Sequence, residues 1–204
     1  MNPILPAAWQ KDLILASASP RRAEILAMLG FEFEIVITAV EDEPLDEPDP
    51  VAHARAQARR KVAAVASLRP SGTCIGADTI VVIDGAILGK PPSRAAALTM
   101  QRQLRGRWHE VHTGLALQDA RSGRVFDAVE TTAVRFHDWD DAVLQRYVDT
   151  GECDDKAGAY AIQGFGAMLV EEIRGCYFNV MGLPVQRLVQ LLRALHDVEV
   201  SSER

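Results

Sequence analysis

Cysteine is scarce in this chain of 204 residues: there are three, Cys74, Cys153 and Cys176, far apart and odd in number. With no Cys-x-x-Cys and no Cys/His pair at ligand spacing, the sequence offers neither a disulfide framework nor a structural zinc site. A reducing compartment, the cytoplasm, is therefore expected. Long apolar runs are missing too. None approaches the roughly 18–20 residues that a membrane helix requires, and Met1-Asn2-Pro3-Ile4-Leu5-Pro6 lacks the charged start of a secretory leader. Positive charge is not in excess, since 22 Lys and Arg stand against 28 Asp and Glu for a net charge of −6. That balance speaks against charge-driven binding to duplex nucleic acid or to an anionic membrane. Any nucleotide site has to be a local basic pocket. No internal repeat is found, and no linker suggests independent domains.

What is present concentrates in three dense regions. The first is Asp12-Leu13-Ile14-Leu15-Ala16-Ser17-Ala18-Ser19-Pro20-Arg21-Arg22, an apolar run that breaks into a small polar turn and restarts as a helix. Ser19 is placed as an N-cap and Pro20 at the first helical position. Arg21 and Arg22 follow in the first turn, the wrong sign for a helix N-terminus, where the macrodipole favours anions. Hydroxyls of Ser17 and Ser19, backbone donors and guanidinium groups converging on one turn would make a receptor for phosphate oxygens. The alternative is a capped surface helix that happens to carry arginine.

After the Gly30 stop, Phe31 to Ile37 alternates apolar and polar and predicts a strand with one buried face. It runs into an acidic, proline-rich loop, at whose start Glu41 and Asp42 are placed to reach a hard divalent cation. Asp49-Pro50 caps an alanine-rich helix to about Ala66, which carries Lys61, a candidate phosphate ligand. The second dense region, Cys74 to Ile83, is an apolar strand interrupted by Asp78 and closed by the hairpin signal Asp84-Gly85. A carboxylate in such a strand needs a partner or a function. Two readings stand: Asp78 serves chemistry or a metal, or a neighbouring Lys or Arg satisfies it. Gly76 marks a close approach to the backbone.

The return strand, Ala86 to Pro91, ends in Lys90, held between Gly89 and Pro91 and aimed back towards Asp78. A helix capped by Ser93 and stopped by Gly106 leads to a meander through Val125 to Phe136, in which His109 and His112 read as strand histidines with local hydrogen bonds. A helix from Asp140 to Asp149 precedes the third dense region, Gly151 to Gly166, whose recurrent glycines among Asp, Lys156, Tyr and Gln163 suggest a backbone shaped to contact a ligand. Met168 to Ile173 predicts a strand, Val185 to about His196 an amphipathic helix, and Glu199 to Arg204 a frayed tail.

Taken in order, Ser17-Ala18-Ser19-Pro20-Arg21-Arg22, Gly76-Ala77-Asp78-Thr79, Leu88-Gly89-Lys90-Pro91, Gly106-Arg107-Trp108-His109, Asp155-Lys156-Ala157-Gly158-Ala159-Tyr160, Ile162-Gln163-Gly164 and Gly182-Leu183-Pro184 resemble the successive motifs of the Maf family of nucleoside triphosphate pyrophosphatases. The resemblance implies an α/β fold: a long, twisted mixed sheet flanked by helices, with two lobes around a central nucleotide cleft, related to inosine triphosphatase. It implies one domain over residues 1–204 with a core from about 12 to 195. The implied reaction is hydrolysis between the α- and β-phosphates with Mg²⁺ or Mn²⁺. Asp78 falls on the family's proton acceptor. Arg21, Thr79 and Gln163 fall on positions associated with the subgroup that prefers dTTP and UTP, with CTP or modified pyrimidine nucleotides as further candidates. A sister subgroup has Trp at the place of Arg21 and a Ser-Asp-Gln run at the place of Ala77-Asp78-Thr79, and this chain has neither.

The residues support that chemistry on their own terms. A triphosphate carries about four negative charges, so cleavage at its α-phosphorus needs cations around the leaving group and a water in line. Arg21, Lys61, Lys90 and Lys156 are the candidate cations, with Ser17, Ser19, Arg22 and Thr79 in support. Glu41 or Asp42 together with Asp78 would hold the metal. Gln163 can present its amide to a pyrimidine edge. The expected partner is a nucleoside triphosphate, with no duplex nucleic acid and no membrane, and a homodimer is the default assembly. The competing class is a non-catalytic nucleotide-binding regulator of septum formation.

Overall fold

Three parallel strands organise the first part of the chain in a computed structural model, which describes residues 1–42 and 45–202, with side chains for all of these except 41, 42 and 198–202. Strand β1 (Leu13–Leu15) lies between β2 (Phe33–Ile35) and β3 (Thr73–Ile83), parallel to both, with Leu15 opposite Ile35 on one side and Ile75 on the other. All three residues of β1 are buried, as expected of a parallel strand covered on both faces. Helix α1 (Pro20–Met28) joins β1 to β2, and α2 (Pro50–Ala66) joins β2 to β3. Strand β4 (Ala86–Leu88) folds back antiparallel on β3. Asp84 and Gly85 both take positive φ, 51° and 76°, which the two-residue turn between right-twisted strands requires.

The remaining elements are α3 (Arg94–Leu104), β5 (Trp108–Asp119), β6 (Val125–Phe136), α4 (Asp141–Asp149), β7 (Val170–Arg174), α5 (Tyr177–Met181) and α6 (Val185–Ser202). Among the described residues seven strands pair in the order β2-β1-β3-β5-β6-β7, with β4 on β3. The sheet is mixed, since β6 and β7 pair antiparallel. This is the α/β class with a helix-flanked mixed sheet that the motifs imply. No helix among the described residues is long and apolar enough to cross a membrane.

The chain divides into two compact units, one of Met1–Asp78, Thr113–Glu130 and Gly182–Arg204, the other of Thr79–His112 and Thr131–Met181. The core of the first gathers Ile14, Ala16, Ala58, Val62, Val65, Cys74 and Ala116. Its α2 lies close on the sheet at two glycines. A Cβ on Gly76 would stand 2.8 Å from Val62 Cγ1 and 3.0 Å from the Ala58 carbonyl oxygen, and one on Gly114 would overlap the Ala54 carbonyl. The core of the second packs Leu104, Val134, Leu144 and Val148 with Phe136 and Tyr160. Buried His109 crosses both rings edge to face, at 5.0 and 5.4 Å between centroids.

Asp49, Ser93 and Asp140 cap α2, α3 and α4 by accepting from Ala52, Ala96 and Val143 N–H. Ser19 differs. It precedes α1 as expected, but its side chain makes no capping bond; instead Ser17 Oγ accepts the Ser19 N–H at 3.2 Å. The strand expected over Phe31 to Ile37 is only three residues long, and Ile35 and Ile37 are 50% and 60% exposed. The apolar side of the run is covered only at its start, where Phe31 is buried and Phe33 half-buried, so the alternation continues past the part of the chain that has something packed on it. The strand expected from Met168 starts at Val170, because Gly164–Leu169 forms 3-10 turns from a positive-φ glycine, 62° at Gly164. Strand β4 stops at Leu88, short of Lys90. Helix α6 continues to Ser202 where a frayed tail was expected, there being no Gly or Pro after Val185 to stop it.

Candidate active site

The parallel strands of the first unit deliver their carboxyl ends to one edge. Strand β1 leads into Ser17-Ala18-Ser19, β2 leads into the 3-10 turn Ala39–Asp42, and β3 runs on from Ile75 to Asp78. The Ala16 N–H donates to the Ile75 carbonyl at 2.8 Å and so holds the first turn beside β3. Ligand sites of open α/β sheets lie at such carboxyl ends.

Asp78 is four-fifths buried there, and its Oδ1 accepts from Lys61 Nζ at 2.8 Å. Lys61, which is more deeply buried, also donates to the Ala77 carbonyl at 3.3 Å. Gly76 explains the pairing. Lacking a side chain, it lets α2 settle onto β3, with Lys61 Cβ only 3.3 Å from where a Cβ of residue 76 would be. The close approach read from Gly76 is thus made by the protein's own helix. Of the two readings of Asp78, the lysine partner is present, and it occupies one oxygen only. Asp78 Oδ2 has no hydrogen bond or ion pair among the described residues. Lys61 is correspondingly bound to a carboxylate and a carbonyl, a different placement from that of a lone phosphate ligand.

Arg22 and Ser17 are also turned inward. Arg22 Nη1 donates to Ser17 Oγ at 2.8 Å, and its Nε donates to the Gly182 carbonyl at 2.9 Å, 160 residues away in sequence. Both side chains are buried, and the pair ties the turn after β1 to the start of α6. Ser19 and Arg21 are half-buried in the same turn. Two arginines of α2 are engaged away from Asp78: Arg55 and Arg59 grip the two oxygens of Asp127 at 3.0 and 3.1 Å.

The second unit holds the other expected residues. Thr79 follows Asp78 on β3, so its side chain takes the opposite face of the strand. Lys90 is exposed and has no partner among the described residues. The Gly158 N–H donates to the Gly89 carbonyl at 3.1 Å, which sets the turns carrying Lys90 and Lys156 side by side. Lys156 Nζ donates at 2.6 Å to both Asp155 Oδ1 and the Glu152 carbonyl. Gln163 is half-buried, and its side-chain amide makes no hydrogen bond among the described residues. Sequence reasoning missed Glu152. Its carboxylate accepts the N–H groups of Phe165 and Gly166, each at 2.9 Å. Its place among glycines was visible, but not that a carboxylate there binds main chain.

For a metal, the Glu41 and Asp42 side chains lie outside the described residues, although their backbone ends the turn after β2. Among the described residues no three His, Cys, Asp or Glu side chains converge as a ligand set. Asp78 Oδ2 is a hard, unshared oxygen donor of the kind Mg²⁺ and Mn²⁺ take. His109 and His112 are hydrogen-bonded strand residues, but their partners are distant in sequence and not local as expected: Tyr160 Oη at 2.9 Å and Thr131 Oγ1 at 2.8 Å.

Comparison with known proteins adds to this geometry. Residues 12–195 match the family model described as Maf-like protein. The chain is 47% identical over 191 residues to the dTTP/UTP pyrophosphatase of Desulforamulus reducens, covering 93% of this chain and 99% of that protein. It is 45% identical over 183 residues to the protein of the same name from Pelotomaculum thermopropionicum, covering 90% and 96%. Among solved structures it is similar to the Staphylococcus aureus Ham1 protein, with a TM-score of 0.48 and 12% identity over 95% of this chain and all of that one.

Proposed function

The chain belongs to the Maf family, and from that premise we propose that it is a nucleoside triphosphate pyrophosphatase. It hydrolyses dTTP and UTP between the α- and β-phosphates to the nucleoside monophosphate and pyrophosphate. The observation that carries this reading is the Lys61–Asp78 pair at the carboxyl end of the parallel strands, with one carboxylate oxygen fixed at 2.8 Å and the other left for chemistry. The relatives' activity supports the substrate assignment.

Lys61 holds Asp78 by Oδ1 and so aims Oδ2. From that fixed position Oδ2 orients the attacking water towards the α-phosphorus and accepts its proton as the bond to phosphorus forms. Asp78 Oδ2, with Glu41 and Asp42, would hold a divalent cation. Such an ion, when bound, neutralises phosphate charge and lowers the pKa of a coordinated water. Lys90 and Lys156 serve the pyrophosphate leaving group, for which two cations on adjacent turns are suited. The turn from Ser17 to Arg22 offers phosphate oxygens Ser19, Arg21 and backbone donors, while the Ser17–Arg22 bond keeps it in shape. Gln163 and Thr79 select the pyrimidine.

The test is product analysis on a panel of canonical and modified triphosphates, with and without Mg²⁺. Pyrophosphate and monophosphate in equal amounts from dTTP and UTP, dependent on Mg²⁺, are expected. Purine preference, or release of orthophosphate as the first product, overturns the reading.

A further inference from the structure

The segment that carries Gln163 is tied down on both sides of it. Two residues before, the Ala161 N–H donates to Tyr147 Oη at 3.0 Å. Just after, the Phe165 and Gly166 N–H groups donate to Glu152 Oε2 and Oε1. The two anchors are themselves joined, because Tyr147 Oη donates to Glu152 Oε1 at 3.3 Å. Burial raises the Tyr147 pKa, so the hydroxyl keeps its proton and remains a donor. Tyr147 sits on the buried face of α4, and the Lys156 ammonium holds the Glu152 carbonyl. Each half of the clasp is thus anchored in its turn, Tyr147 by burial and Glu152 by a main-chain bond.

The glycines fit the same arrangement. A Cβ on Gly164 would overlap the Glu152 carboxylate, and one on Gly166 would overlap the Ala161 carbonyl and stand 2.7 Å from Tyr147 Oη. The chain is therefore drawn tightly around Gln163, while the Gln163 amide itself takes no protein partner among the described residues. That amide carries a donor and an acceptor side by side. Thymine and uracil present O4 and N3–H, whereas cytosine presents N4–H₂ and N3, the reverse order. A side chain on a loose loop can turn to satisfy either base. Selection between them requires the loop to be held.

We propose that Glu152, with Tyr147, is a positioning residue for base selection, clasping the 161–166 segment so that the Gln163 amide is offered to the pyrimidine in one orientation. This rests on the reading above that Gln163 faces the base.

Two variants test it: Glu152→Gln, which sets an amide N–H₂ against a backbone N–H, and Tyr147→Phe, which keeps the ring and removes the bridge. Each is assayed on dTTP and dCTP with Mg²⁺, alongside hydrogen exchange of the 161–166 amides. The clasp predicts exchange at Phe165 and Gly166 faster by about tenfold or more in Glu152→Gln. It also predicts a rise in KM for dTTP and a fall of about tenfold in the dTTP-to-dCTP ratio of kcat/KM, with kcat changed far less. Tyr147→Phe shifts the same quantities in the same direction by less. Faster exchange with an unchanged dTTP-to-dCTP ratio in an active variant makes the clasp merely structural and overturns this inference alone, as does unchanged exchange. A wild-type protein inactive on pyrimidine triphosphates overturns the function reading and this inference with it, whatever the exchange shows.

Discussion

Lys61 Nζ lies 2.8 Å from Asp78 Oδ1 across a contact between α2 and β3 that the absence of a side chain at Gly76 permits. If Lys61 acts through Asp78, the two residues form one unit and their losses do not multiply. Lys61→Met and Asp78→Asn should each lower kcat on dTTP by about 10²-fold or more, with the double variant no worse than Asp78→Asn. Penalties that multiply in the double variant would make Lys61 an independent phosphate ligand.

The helix–strand contact makes its own prediction about stability. In Gly76→Ala the new methyl meets a side-chain methyl of Val62 and the Ala58 carbonyl, and some adjustment is available. In Gly114→Ala it meets the backbone of Ala54, which has none. Overpacking of this kind costs about 1–3 kcal/mol and sometimes more. Urea unfolding should therefore show Gly76→Ala within that range and Gly114→Ala beyond it. Equal midpoints for both variants and the wild type would contradict the packing described.

His109 supplies a pH dependence. Burial lowers its pKa from 6.5 to about 4, so the folded protein keeps it neutral. Between those values the unfolded chain binds a proton that the folded one does not, so stability rises with pH across the window. The contribution is complete above about 6.5 and is lost as pH falls towards 4, in total a few kcal/mol at about 1.4 kcal/mol per unit. Melting temperature followed from pH 7 to 4 should fall more steeply in the wild type than in His109→Gln. Parallel curves would show that another group dominates.

Local chemistry was legible in the chain wherever neighbours in sequence settle it. Asp49, Ser93 and Asp140 cap helices because a side-chain oxygen reaches an N–H three residues on, and Asp84-Gly85 turns because both residues accept positive φ. Asp78 stood out because a carboxylate in an apolar strand needs a reason. What it pairs with was hidden, since Lys61 is one of several cations on α2 and only the packing at Gly76 selects it. Arg22 was similarly ambiguous: its inward turn depends on the Gly182 carbonyl, 160 residues away. Glu152 read as one more acid in a glycine-rich loop, because main-chain N–H groups leave no mark in a sequence. The exposed Ile35 and Ile37 show the reverse case, a pattern that promised a buried face along a run of which only the start, at Phe31, is covered.

The central claim is that Asp78 activates water for attack on a pyrimidine triphosphate. It is tested most directly by pyrophosphate release from dTTP and UTP with Mg²⁺ by Asp78→Asn, with circular dichroism confirming the fold. Asparagine keeps the shape and the Lys61-facing oxygen but has no carboxylate to take a proton. Turnover is predicted to fall by about 10²–10⁴-fold with the fold intact. Near-wild-type pyrophosphate release by a folded Asp78→Asn protein would contradict the account.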